Sequence, residues 1–160
     1  MGLLGRMLGT MYPDSDVVPL SAAEVREALL AVDTPDVPYR VRKANPAEKA
    51  DLVGEWMVDT TYFDERMKLR LRIRMHLDPS EREVRTLQEQ WTTTRGNMSA
   101  SRGYSRGMGF TAQRQWAYER GPDGRRQRVE TYHLDTRDMR NALRQAALDA
   151  GWAWRGLLRL

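Results

Sequence analysis

Residues 66–77 read RMKLRLRIRMHL. Met67, Leu69, Leu71, Ile73, Met75 and Leu77 hold every odd position, and Arg66, Lys68, Arg70, Arg72, Arg74 and His76 hold every even one. Successive side chains of a strand point to opposite faces, so this alternation writes a strand with one apolar and one cationic face. A helical period would scatter the same cations around the whole circumference. Asp78-Pro79-Ser80-Glu81 follows with turn chemistry. Residues 82–94 are therefore expected to return as the antiparallel partner. With Leu77 opposite Arg82, His76 would face Glu83 and Arg70 would face Glu89, and Trp91 and Leu87 would share the cationic side.

Other signals lie on both sides of this hairpin. Ser21 with Glu24 three residues later is a capping box, and Val25, Leu29 and Val32 recur at helical spacing, which predicts a helix over 21–32. Asp33-Thr34-Pro35 stops it, because the residue before proline avoids the helical region. Residues 39–42 read as a short strand, 45–48 as a turn, and 50–63, rich in Val, Trp, Thr, Tyr and Phe, as a strand. Gly54 inside that strand marks a bulge or a close backbone approach.

Residues 96–109, GNMSASRGYSRGMG, lack periodicity and read as a long flexible loop. A second hairpin, 110–120 with 125–134, turns at Gly121-Pro122-Asp123-Gly124; with Arg120 opposite Arg125, Trp116 faces Val129 and Glu119 faces Arg126. Asp135 or Thr136 caps a helix over 137–150, Gly151 ends it, and 152–160 read as a last strand. Residues 1–20 read as a mobile or lightly docked N-terminal segment. The order predicts an α+β domain over 21–160: a curved antiparallel sheet of about six to seven strands packed with the helices 21–32 and 137–150, one or both of them on its apolar face.

Composition narrows the function classes. The 160 residues are 41% hydrophobic and 30% charged, enough for one core. No apolar run is long enough for a membrane span, and the pattern of a signal peptide is missing. Cysteine is absent, which removes disulfides, thiolate zinc sites and cysteine nucleophiles. With only His76 and His133, a multi-histidine metal site is also excluded. Neither a cofactor nor a metal is expected, and no phosphate-binding glycine motif occurs. His133 and Asp135 share a strand parity, but no nucleophile can be tied to them, so no catalytic residue is assigned.

The cations are unevenly spread. Residues 1–38 carry two arginines and six acids, a net of −4, whereas residues 95–128 carry eight arginines and two acids, a net of +6. Residues 65–77 hold five Arg and Lys against Glu65 alone, a local +4. Arginine's planar fork suits carboxylates and phosphates. The candidate polyanion or partner-binding set is therefore Arg66, Lys68, Arg70, Arg72 and Arg74 on the strand, with Arg102 and Arg106 from the Arg/Gly stretch that also contains Arg95 and Tyr104. Trp56, Trp116, Trp152 and Trp154 are a second candidate set, lining an aromatic pocket between sheet and helix.

The strings KADLVGEW (49–56), HLDPSEREVRTLQEQW (76–91) and AGWAWRGLLRL (150–160) resemble a family of small uncharacterised proteins of high-GC Gram-positive, actinobacterial type, over about residues 38–160. The resemblance implies a bacterial cytoplasmic setting and a shared fold, and it transfers no catalytic residue. The functional expectation is a non-catalytic interaction protein that docks on an acidic partner through its basic sheet face. The alternatives are a nucleic-acid binder using that face with the 96–109 stretch, and a small-ligand binder or enzyme with an aromatic-lined pocket.

Overall fold

The computed structural model describes residues 2–62, 64–107, 112–120 and 126–160, with Tyr62 and residues 112–120 and 126–134 described by their backbone alone. Three α-helices and eight strands follow in the order α1 (Leu3–Met7), α2 (Ala22–Leu30), β1 (Arg40–Lys43), β2 (Leu52–Tyr62), β3 (Glu65–Asp78), β4 (Glu83–Arg95), β5 (Ala100–Arg106), β6 (Ala112–Arg120), β7 (Arg126–Asp135), α3 (Arg137–Asp149) and β8 (Ala153–Leu157). β1 to β5 form an antiparallel path in sequence order, and β8 joins it parallel to β4. The sheet is open, mixed and mostly antiparallel, and the class is α+β as the element order implied.

β3 is the centre of this sheet, and its alternation sorts the side chains. Leu69, Leu71, Ile73, Met75 and Leu77 are buried, while Arg66, Lys68, Arg70 and His76 are exposed. Cross-strand pairing extends the dry face to Leu52, Trp56 and Val58 on β2, and to Val84 on β4. α2 and α3 close over it with Val25, Leu29, Met139, Leu143 and Ala147. α3 packs tightly over Gly54. A Cβ there would lie 3.2 Å from both Leu143 Cδ1 and Met139 Sδ, so the glycine marks a close approach and not a bulge. The ladder runs unbroken through it on both sides.

The helices begin as their sequences indicate. Ser21 Oγ accepts from the Glu24 amide at 3.3 Å. Asp135 Oδ1 accepts from the Arg137 amide at the start of α3. Gly151, at φ +79°, reverses the chain after α3, with Pro19 packed where a side chain would stand. The same turn fastens the N-terminal segment. Leu20 N donates to Ala150 O, Trp152 Nε1 donates to Leu20 O, and Met11 bridges Trp154. Gly156 passes so close to the Leu8 carbonyl that no Cβ could be accommodated.

Four expectations change. The β3–β4 register is displaced by two residues, because the reversal occupies Pro79–Arg82 and Asp78 stays in the strand opposite Glu83. Asp78 Oδ1 accepts from Ser80 N, Ser80 Oγ and Glu81 N, and Arg82 closes the turn at φ +51°. The displacement is even, so no side chain changes face. Glu89 therefore faces Arg72 instead of Arg70, and His76 faces Arg85 instead of Glu83, while Trp91 and Leu87 remain on the cationic side.

Secondly, the stretch 96–109 is not a long loop. Gly96 N donates to Ser99 O in a tight turn, and Ala100–Arg106 pairs with β4 as β5. All seven β5 residues are exposed, and with neither face dry there is no alternation to read. Residues 108 and 109 lie outside the described residues. Thirdly, the last strand is parallel to β4, which an antiparallel sheet did not anticipate. Fourthly, among the described residues β6 and β7 pair only with each other, as a separate two-stranded sheet, with Trp116 opposite Glu130, Glu119 opposite Gln127 and a register shift between Gln115 and Trp116. The expected turn at 121–124 lies outside the described residues.

Two substitutions test the sheet–helix interface. Leu71→Ala removes a fully buried side chain from the centre of β3 and is expected to lower the unfolding free energy by about 2–5 kcal/mol. Gly54→Val, although better suited to a strand, should cost about 1–3 kcal/mol by pressing on Leu143 and Met139. Chemical denaturation checks both, and a neutral or stabilising Gly54→Val contradicts the close packing of α3 on β2.

Candidate docking face

The cationic face is built in rows across the strands. Arg66 stands opposite Arg95, which stands opposite Ala100. Next come Lys68, Thr93 and Arg102; then Arg70, Trp91 and Tyr104; then Arg72, Glu89 and Arg106. Arg74 stands opposite Leu87, which pairs with Leu157 on β8. Arg40 and Arg42 on β1 extend the face, and so do Arg85 and Arg155 at the other edge. On the strands twelve cations thus meet five carboxylates, Glu55, Asp59, Asp78, Glu83 and Glu89, while Asp33 and Glu48 outside the strands take Arg40 and Arg42.

Those carboxylates are spent close to home. Glu89 is the most deeply placed, its side chain 5% exposed, and it accepts from Arg72 Nη2 at 2.9 Å and Arg74 Nε at 3.2 Å. Tyr104 Oη donates to the other carboxylate oxygen at 2.7 Å, and Arg106 Nε donates to Tyr104 Oη. Burial pushes the Glu89 carboxyl up, but the Tyr104 and Arg72 hydrogen bonds, with the charges of Arg72 and Arg74, hold it below the usual range. Glu48, in the turn Pro46–Glu48, takes a two-pronged bond from Arg42 at 2.7 and 2.8 Å and accepts from the Asn45 amide. The Arg42 hydrogen bond, working against burial, lowers its pKa from the ordinary 4.5 to about 2. Glu55 bridges Arg42 and Arg70, each at 3.2 Å, and Asp59 is gripped by Arg66 at 2.7 and 2.9 Å.

The face therefore divides. At one end Arg72 and Arg74, their side chains 20% and 17% exposed, are locked on Glu89. At the other end Lys68, Arg95 and Arg102 are exposed and carry no ion pair among the described residues. Arg70, bridged to Glu55 yet exposed, joins them. Between lies Trp91, with the Arg70 and Arg72 guanidinium carbons 5.2 and 5.0 Å from its ring centre and Tyr104 at 5.3 Å. A shallow hollow of about 260 Å³ opens here, lined by Met57, Asp59, Lys68, Arg70, Trp91 and Thr93.

The sequence-derived set is thus brought onto one face: Arg66, Lys68, Arg70, Arg72, Arg74, Arg102 and Arg106. Pairing of β5 with β4 puts the last two there. Sequence reasoning placed Trp91 on this face and named Tyr104 and Arg95. It missed the tilted contact of Trp91 with Tyr104, the neutralising roles of Glu55 and Asp59, and the β1 arginines. Three members of the tryptophan set are core residues. Trp56, Trp152 and Trp154 are 5%, 1% and 1% exposed and pack in the core on the opposite side of the sheet. The Trp116 side chain lies outside the described residues.

A larger groove, about 770 Å³, runs between the N-terminal segment and β8, lined among others by Leu4, Leu8, Tyr12, Val17, Glu81 and Arg155. Among the described residues no three His, Asp or Glu groups are placed to share a metal ion. No helix there is long and apolar enough to cross a membrane. No family model, curated protein or solved structure matches the chain.

The held-down carboxylates make stability depend on pH in a definite direction. A carboxyl whose folded pKa lies below its unfolded value stabilises fully above the unfolded value and loses that contribution as pH falls through the folded one. Thermal midpoints should therefore drop between pH 4.5 and about 2, the window of Glu48. Glu48→Gln should flatten the drop and lower the midpoint at neutral pH. An unchanged slope contradicts the assignment.

Proposed function

We propose that this chain is a non-catalytic docking module whose open sheet face takes an extended acidic segment of a protein partner. The observation that carries the reading is the split of the face: cations outnumber carboxylates on its strands, and those without an ion pair among the described residues, Lys68, Arg95 and Arg102, share one end of it with Arg70, where Lys68 and Arg70 line a hollow. Arg66, Lys68 and Arg70 stand two residues apart along β3, or about 7 Å. Carboxylates on alternate positions of an extended peptide repeat at the same distance. Arg72, Arg74 and Arg106 have a supporting part, holding Glu89 and Tyr104 beneath the platform. The resemblance to actinobacterial proteins brings a cytoplasmic setting into the same proposal.

Single-stranded nucleic acid is the second reading, favoured by Trp91 and Tyr104 among the cations. It ranks below the first because stacking needs a free ring face. Arg70, Arg72 and Tyr104 already cover the Trp91 ring, and the Tyr104 ring carries Arg106 at 5.8 Å. The surface offers guanidinium forks more readily than aromatic planes.

The test is a titration with a labelled peptide alternating Glu and Ser, and separately with a labelled single-stranded oligonucleotide, at low and moderate salt. Peptide binding should weaken steeply as salt screens the exposed charges, and Lys68→Ser/Arg95→Ser/Arg102→Ser should weaken it by about tenfold or more while remaining folded. Binding of the oligonucleotide but not the peptide supports the second reading. Equal binding by wild type and variant removes the face as the site.

A further inference from the structure

The hollow on the docking face has a chemistry that the surrounding cations do not explain. Met57 of β2, opposite Arg70, is 73% exposed, more than any other large apolar side chain on the described strands. A single exposed methionine is ordinary on a protein surface. This one borders a hollow of about 260 Å³ together with Trp91 and Thr93. Lys68 and Arg70 complete the wall, and the long stems of both are themselves aliphatic. Cavities for drug-sized ligands hold roughly 300–1,000 Å³, so this one suits a single side chain better than a whole small molecule. Arg70 and Arg72 hold the Trp91 ring at 5.2 and 5.0 Å, and Tyr104 lies against it. An aliphatic group, for which contact is enough, therefore fits here better than an aromatic one, which needs a free plane to stack on.

The rows of the sheet give the hollow a direction. On one side stand Asp59, Lys68, Thr93 and Arg102, and beyond them Thr61, Arg66, Arg95 and Ala100. Asp59 is held by Arg66, so Lys68, Arg95 and Arg102 stay open to an outside carboxylate. On the other side stand Glu55, Arg72, Glu89 and Arg106, a row that already contains two carboxylates and in which Arg72 is locked on Glu89. An extended segment lying along β3 sets every second side chain over successive rows, about 7 Å apart. One such side chain falls over Met57 and Trp91, the next over Lys68 and Arg102, and the next over Arg95. We propose, resting on the docking reading above, that the partner's acidic segment carries a leucine-sized aliphatic side chain seated in this hollow, with its carboxylates on alternate positions to one side of that anchor.

Three extensions of the peptide alternating Glu and Ser test this, all with blocked ends. One carries leucine two residues before the first Glu, one carries it two residues after the last, and one has Ser at both places. At least one leucine peptide should bind the full chain about fivefold or more tightly than the serine peptide, the gain expected for burying about half of one leucine side chain. The gain is apolar, so it should persist at moderate salt while the affinity common to all three falls. Met57→Ser should remove the gain and leave the serine peptide's affinity in place. Lys68→Ser/Arg95→Ser/Arg102→Ser should weaken all three peptides and keep their ratio. In wild type the Met57 methyl NMR signal should shift saturably with the leucine peptide and stay in place with the serine one, and this decides if Met57→Ser does not fold. If leucine adds nothing at either place, if its gain survives Met57→Ser, or if the methyl signal does not respond to it, the anchor is overturned while the docking face stands. If none of the three binds, the docking reading falls and the anchor with it.

Discussion

The alternation of β3 is the constraint on which the other features rest. Burying Leu69, Leu71, Ile73 and Met75 beneath α2 and α3 leaves the chain no choice about Arg66, Lys68, Arg70, Arg72 and Arg74, which must line the opposite face at about 7 Å spacing. Like charges so arranged repel unless neighbouring strands answer them. β2 supplies Glu55 and Asp59, and β4 supplies Glu89. The hydrophobic gain on one side of the sheet thus dictates the electrostatics of the other.

The answer is incomplete, and the incompleteness is local. Glu89 collects Arg72, Arg74 and Tyr104 around its own buried carboxylate, and charge-assisted bonds of that kind are directional. Around Lys68, Arg95 and Arg102 no carboxylate among the described residues does the same. An exposed ion pair adds little stability, so these cations cost little when unpaired in water. They are therefore free to pair with something else. The Trp91–Tyr104 pair supports this end, presenting Arg70 from above a rigid ring instead of on a loose stem.

Much of this was legible in the sequence, for identifiable reasons. β3 announced itself because one face is dry and the other wet over the length of the strand. Ser21 and Gly151 marked helix ends because backbone amides and a left-handed turn demand such residues. Gly54 in a strand signals a bulge or a close approach, and only the position of α3 distinguishes the two. β5 escaped notice because all its residues are exposed, and the pattern that reveals a strand is a pattern of burial. The β3–β4 register depended on which residue Asp78 pairs with, and its turn-capping side chain favours strand and turn alike. The division of the arginines into locked and open groups was not legible, since it follows from that register. The burial of Arg140 was hidden for a similar reason: nothing local distinguishes it from the half-buried Arg137 and Arg144 of α3.

The central claim is that the two ends of the cationic face have different jobs, and arginine side-chain NMR tests it most directly. The Nε–Hε signals of Arg70, Arg95, Arg102, Arg72 and Arg74 can be followed while an acidic peptide is added at low salt. The account predicts that Arg70, Arg95 and Arg102 shift in a saturable manner while Arg72 and Arg74, held on Glu89, stay in place. Equal shifts at all five, or shifts confined to Arg72 and Arg74, would contradict it.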